Sequence, residues 1–143
     1  MEEAIRLREK GGKLVESITA LSIGPQKAVD TIRTALAMGA DSGIHILTPE
    51  DQVVEPISVA HAIKAVIEKE KKFDLIVMGK QAIDDDSGST GGMLAGMLNW
   101  GQASFASKLE VAEGGKVSVT REIDGGLEKV EGKLPFIVTT DLR

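Results

Sequence analysis

Asp74-Leu75-Ile76-Val77-Met78-Gly79-Lys80-Gln81-Ala82-Ile83-Asp84-Asp85-Asp86-Ser87-Gly88-Ser89-Thr90-Gly91-Gly92 is the stretch on which the fold turns. Residues 75–78 are apolar without alternation. That is the pattern of a strand covered on both faces, as in a parallel sheet flanked by helices. Gly79 ends the run, and a polar loop over residues 80–89 leads into a helix through Met93, Leu94, Met97 and Leu98. In open α/β sheets, ligands bind where the carboxyl end of a buried strand meets the start of a helix. Here Ser87, Ser89 and Thr90 offer hydroxyls, and Gly88, Gly91 and Gly92 let backbone amides approach closely. Together they predict an anion site at a helix N-terminus.

Asp84, Asp85 and Asp86 limit how such a site can work. A carboxylate about 6 Å from a phosphate charge costs ~3 kcal/mol at an effective dielectric of about 20. A favourable helix-end interaction returns only ~0.3–2 kcal/mol. The carboxylates are therefore expected to turn away, toward ribose hydroxyls, the base, backbone or solvent. A metal ion that offsets them is one competing reading, and a solvated acidic cap without a ligand is another. No Walker P-loop and no Gly-x-Gly-x-x-Gly fingerprint is present.

Working outward, strand and helix alternate over residues 1–100. Residues 2–10 read as a helix stopped by Gly11 and Gly12. Residues 14–23 read as a strand around Ile18, Leu21 and Ile23, broken by Gly24-Pro25. Pro25 opens a helix with the stripe Ala28, Val29, Ile32, Ala35 and Leu36, and Gly39 stops it. Residues 43–47 form a strand, and a second helix follows Pro56 with the stripe Val59, Ala60, Ile63, Val66 and Ile67. After Trp100 the texture becomes β-rich. Strands are expected at residues 104–112, 116–123 and 134–140, with turns at Glu113-Gly114-Gly115 and Asp124-Gly125-Gly126. The fold class is α/β. A parallel Rossmann-like sheet carries flanking helices and a mostly antiparallel C-terminal β portion, within one nucleotide-binding domain over residues 1–143.

Composition removes several function classes. The 143 residues hold no cysteine, which excludes disulfides, thiolate chemistry and Cys-ligated metals. The 17 basic residues are scattered, the net charge is −5 and aromatics are 3%, so nucleic acid is not an expected partner. No apolar run approaches the ~20 residues of a membrane span. His45 and His61 lie far apart in sequence and read as packed or surface histidines. No Gly-x-Ser-x-Gly elbow or His-x-x-Glu-His arrangement occurs, so no catalytic residues are expected.

Three blocks carry a resemblance: residues 31–41 (Thr-Ile-Arg-Thr-Ala-Leu-Ala-Met-Gly-Ala-Asp), residues 79–86, and residues 119–130 continuing into 134–139. Together with Phe105-Ala106-Ser107-Lys108, they closely resemble the electron transfer flavoprotein β subunit, along essentially the whole chain. The resemblance implies an adenine nucleotide alpha hydrolase-like fold and a heterodimer with an α subunit that holds most of the FAD. It implies electron flow from acyl-CoA and related dehydrogenases to the quinone pool, with no direct membrane insertion. It also implies AMP bound structurally by Ile23, Gly79, Lys80, Gln81, Ala82, Ile83, Asp84, Asp85, Asp86, Ser87, Gly88, Ser89 and Thr90. The acidic run resembles the mitochondrial forms, so the expected location is the mitochondrial matrix, or the cytoplasm if the source is bacterial. Gly88 and Ser89 depart from the family's larger amides, which removes two side-chain donors to the phosphate. The family's first strand, its dehydrogenase-recognition loop and its partner-wrapping arm have no counterpart, so the chain is expected to be incomplete at both ends. Two alternatives from other classes are a Mg²⁺-dependent nucleotide hydrolase using residues 84–86 and a nucleotide sensor resembling stress proteins.

Overall fold

A computed structural model of the chain describes residues 1–11, 14–50, 55–70, 72–79 and 90–140. It divides into two compact units, Met1–Val54 and Glu55–Arg143.

In the first unit, helix α1 (Glu2–Gly11) precedes strand β1 (Thr19–Gly24), helix α2 (Val29–Met38) and strand β2 (Ser42–Leu47). β1 and β2 pair in parallel, with Thr19 opposite Ser42 and Gly24 opposite Leu47. Buried Ile18, Ala20, Ile32, Ala35 and Ala40 form the core, with Ala4, Ile5 and Val15 against it. The strand expected from residue 14 starts at Thr19. Before that point the chain is held by Asp41, whose carboxylate accepts the Ile18 N–H at 2.8 Å while the Asp41 N–H donates to Ile18 O at 2.8 Å. β2 begins only at Ser42, so residues 14–18 have no strand to pair with. Pro25 leads into a 3₁₀ turn (Gln26–Ala28) rather than directly into the helix. α2 ends where expected, at Gly39 with φ 128°. Its buried stripe narrows to Ile32 and Ala35, while Leu36 is exposed.

In the second unit, helix α3 (Pro56–Glu70) precedes strand β3 (Leu75–Gly79) and helix α4 (Thr90–Leu98). Strands β4 (Gly101–Ala112), β5 (Lys116–Ile123), β6 (Gly126–Lys133) and β7 (Phe136–Thr140) follow. They form one five-stranded sheet in the order β3-β7-β4-β5-β6. β7 runs parallel to both β3 and β4, whereas β4-β5 and β5-β6 are antiparallel hairpins. The α/β class with an antiparallel C-terminal portion thus holds. β7, an interior strand between β3 and β4, is the buried one: Phe136, Ile137, Val138 and Thr139 are all buried.

Two expectations change here. β3, read as covered on both faces, is only half-buried, because it stands at an end of the described strand order and bonds to β7 alone. Met93 and Met97 are half-buried, and the face of α4 that meets the core is Gly91, Leu94 and Ala95. Small residues let this helix sit close to the sheet, leaving the methionines at its flanks. β4 begins at Gly101, three residues earlier than the β-rich texture suggested, and residues 126–133, which carry no strand signal of their own, extend the sheet as β6.

Candidate functional site

The parallel part of the five-stranded sheet gives it a carboxyl edge. Gly79 at the end of β3 lies opposite Thr140 at the end of β7, and Met78 lies opposite Thr139. The Thr140 hydroxyl donates to Met78 O at 3.4 Å, tying the two strand ends together. On the third strand, the register of β4 against β7 shifts between Ala103 and Ala106, the mark of a bulge.

That bulge is braced. Phe105 has φ 58°, in the left-handed region that a bulky side chain rarely occupies. Its N–H donates to the Thr139 hydroxyl at 3.0 Å. One residue earlier, Ser104 O accepts from Arg121 Nε at 2.7 Å, and Arg121 also pairs with Glu128 at 3.0 Å. Thr139 is the buried polar side chain among the described residues, at 4% exposure, and the Phe105 amide satisfies it.

α4 starts at this same edge, with Thr90 as its first residue and Gly91 against Thr139 and Met78. The first N–H groups of a helix have no partner inside it, and the aligned peptide dipoles leave that end partly positive. No acidic residue stands in the first turn of α4 to offset this. A helix end of this kind is chemically suited to an anion.

Of the expected nucleotide residues, Gly79 and Thr90 lie in the second unit, at the strand end and the helix start. Ile23 is in the first unit, near the carboxyl end of β1, half-buried and opposite Ile46. Lys80, Gln81, Ala82, Ile83, Asp84, Asp85, Asp86, Ser87, Gly88 and Ser89 lie outside the described residues. Next to Ile23, Gly24 O accepts from His45 Nε2 and from the Thr48 N–H, each at 3.0 Å, so His45 fastens the turn that follows β1. Among the described residues no group of His, Asp and Glu is arranged to hold a metal ion. None of the described helices is long and apolar enough to cross a membrane. Sequence reading missed the Thr139–Phe105–Arg121 brace. The available signal was a threonine pair closing an otherwise apolar strand, which asks for partners when buried.

The whole chain, residues 1–143, matches the family described as Electron transfer flavoprotein domain. It is 59% identical over 143 residues to the electron transfer flavoprotein subunit beta of Bradyrhizobium diazoefficiens, covering 100% of this chain and 55% of that protein. The corresponding subunit of Dictyostelium discoideum is 54% identical over 143 residues, with the same coverage. The human subunit is 54% identical over 145 residues, again covering 100% of this chain and 55% of its own length. The chain spans about half the length of the curated relatives it matches.

Proposed function

The chain belongs to the electron transfer flavoprotein family, and from that premise we propose that it is the nucleotide-holding and docking part of a β subunit. In this reading it works within a heterodimeric electron carrier and performs no bond chemistry of its own. AMP sits at the carboxyl edge of the five-stranded sheet, and the face around it packs on an α subunit. FAD, held mainly by that partner, supplies the redox chemistry, taking electrons from acyl-CoA and related dehydrogenases and passing them to the quinone pool. The setting is the mitochondrial matrix, or the cytoplasm of a bacterial source.

The observation that carries the nucleotide reading is the start of α4. A helix without first-turn acids begins beside Met78 and Thr139, at the edge where parallel strands end. The residues present fit an adenosine phosphate there. The amides at Thr90 and Gly91 meet the anionic end. The role of the chain is to bind, to orient and to exclude water.

Thermal melting with and without AMP tests this directly. A ligand that binds only the folded state stabilises it by ~2.7 kcal/mol at a hundredfold excess over its dissociation constant. We expect a clear upward shift of the melting midpoint at millimolar AMP. No shift would remove the nucleotide from the reading and leave the family. Mg²⁺-dependent nucleotide turnover that disappears in Asp85→Asn would replace it with a hydrolase.

A further inference from the structure

We propose that Thr139 is a positioning residue for the nucleotide site. Its methyl group seats the first turn of α4 through Gly91, and its hydroxyl is locked by the braced bulge of β4. The inference rests on the AMP reading above and assigns to the block of residues 119–139 a task which that reading leaves unexplained.

The geometry is a notch and a peg. A Cβ built on Gly91 would lie 2.5 Å from Thr139 Cγ2 and 3.6 Å from Met78 Sδ. Carbon atoms do not approach to 2.5 Å, so only glycine lets the helix come this near the ends of β7 and β3. The peg cannot swing aside at low cost. Thr139 is β-branched, with few χ1 choices, and its hydroxyl is engaged by the Phe105 N–H at 3.0 Å. Phe105 in turn sits on a backbone whose Ser104 carbonyl is held by Arg121 at 2.7 Å, with Arg121 paired to Glu128. Arg121, Glu128 and Thr139 come from β5, β6 and β7, and all converge on one bulge. Such over-determination is what keeps a left-handed Phe in place. The anion-binding power of a helix end falls off within its first turn. A shift of a few tenths of an ångström in the seat of Gly91 therefore moves the amides that meet the phosphate.

A compensation cycle on the chain tests this, with AMP affinity measured by calorimetry well below the melting temperature of each variant. Gly91→Ala adds the clashing methyl and should weaken AMP binding at least tenfold. Thr139→Ser keeps the hydroxyl for Phe105 but removes Cγ2, loosening the seat, and should weaken binding about threefold. The double variant Gly91→Ala with Thr139→Ser puts a methyl back into the notch from the other side. It should bind within about threefold of the unsubstituted chain. Should Gly91→Ala alone fail to fold, the Thr139→Ser variant and the double variant still decide the matter. If the unsubstituted chain binds AMP and the single variants bind it equally well, positioning by Thr139 is wrong. A double variant weaker than both singles has the same meaning. If the unsubstituted chain itself binds no AMP, the nucleotide reading fails and takes this inference with it.

Discussion

At the residue scale, two close fits in the second unit set a glycine against one aromatic ring. Phe136, at the start of β7, is buried with its ring lying between Gly101 and Gly132. A Cβ on Gly132 would meet Phe136 Cε2 at 2.6 Å, and one on Gly101 would meet two ring atoms at 2.8 Å. An aromatic ring cannot bend away as a lysine tip can, so extra volume must be absorbed by backbone. Gly132→Ala should cost about 1–3 kcal/mol, the usual range for overpacking, despite the gain in strand propensity. Urea denaturation of the variant measures it, and a loss below about 0.5 kcal/mol would show that the ring yields freely. Nothing in the sequence announces this contact. Gly132 sits in Val130-Glu131-Gly132-Lys133, a mostly charged stretch without a strand signal of its own. Only the placement of β6 and β7 brings it to Phe136.

At the element scale, α4 is the part whose chemistry can be tested most sharply, because stability and binding pull in opposite directions there. Gly92 is exposed in the first turn, and a Cβ on it would only touch Gln102 Oε1 at an ordinary 3.7 Å. Gly92→Ala should stabilise the helix by up to about 1 kcal/mol through propensity alone and serves as the uncharged reference for AMP affinity at this position. Gly92→Asp should also stabilise the free protein, since an acid near a helix N-terminus contributes ~0.3–1 kcal/mol. Yet it places a carboxylate close to the phosphate. Even after screening by solvent, that repulsion should weaken AMP at least tenfold. Melting curves paired with binding isotherms separate the two effects. Equal affinity in the Asp and Ala variants would mean that the anion sits elsewhere. The alternation of elements that gives α4 its place was legible in the sequence: the apolar run ending at Gly79, the polar loop and the helical stripe all point to it. What could not be read was rank within the sheet. Periodicity reports how apolar a strand is, not which strand it joins. Thus Leu75-Ile76-Val77-Met78 looked fully covered but forms an outer strand among those described, while Phe136-Ile137-Val138 lies on the interior strand beside it and is buried. In the same way, of the stripe Met93, Leu94, Met97 and Leu98 only Leu94 is buried, together with Gly91 and Ala95, while the other three stay half-buried.

At the scale of the whole molecule, the two units differ in what holds each of them together. The first is a two-stranded parallel sheet whose buried cluster is Ile18, Ala20, Ile32, Ala35 and Ala40, with alanine in three of the five places. The second has five strands and a core that includes Leu94, Val117, Val119, Ile137 and Val138, all fully buried. Burial contributes about 25 cal/mol per Å² of apolar surface, and alanine offers little of it. A unit of some fifty residues with so few large apolar side chains is at the marginal end of what folds. The first unit should therefore open at lower denaturant than the second. The chain provides a convenient reporter, because its one tryptophan, Trp100, belongs to the second unit. Tryptophan fluorescence should follow the later transition, while far-UV circular dichroism, which sees helices of both units, should begin to fall earlier. Native-state hydrogen exchange should show the same order, with the amides of β1 and β2 exchanging well before those of β7. Coincident transitions by both probes, with uniform protection across β1, β2 and β7, would mean that the chain unfolds as a single cooperative body and that its small alanine-rich core draws stability from beyond itself.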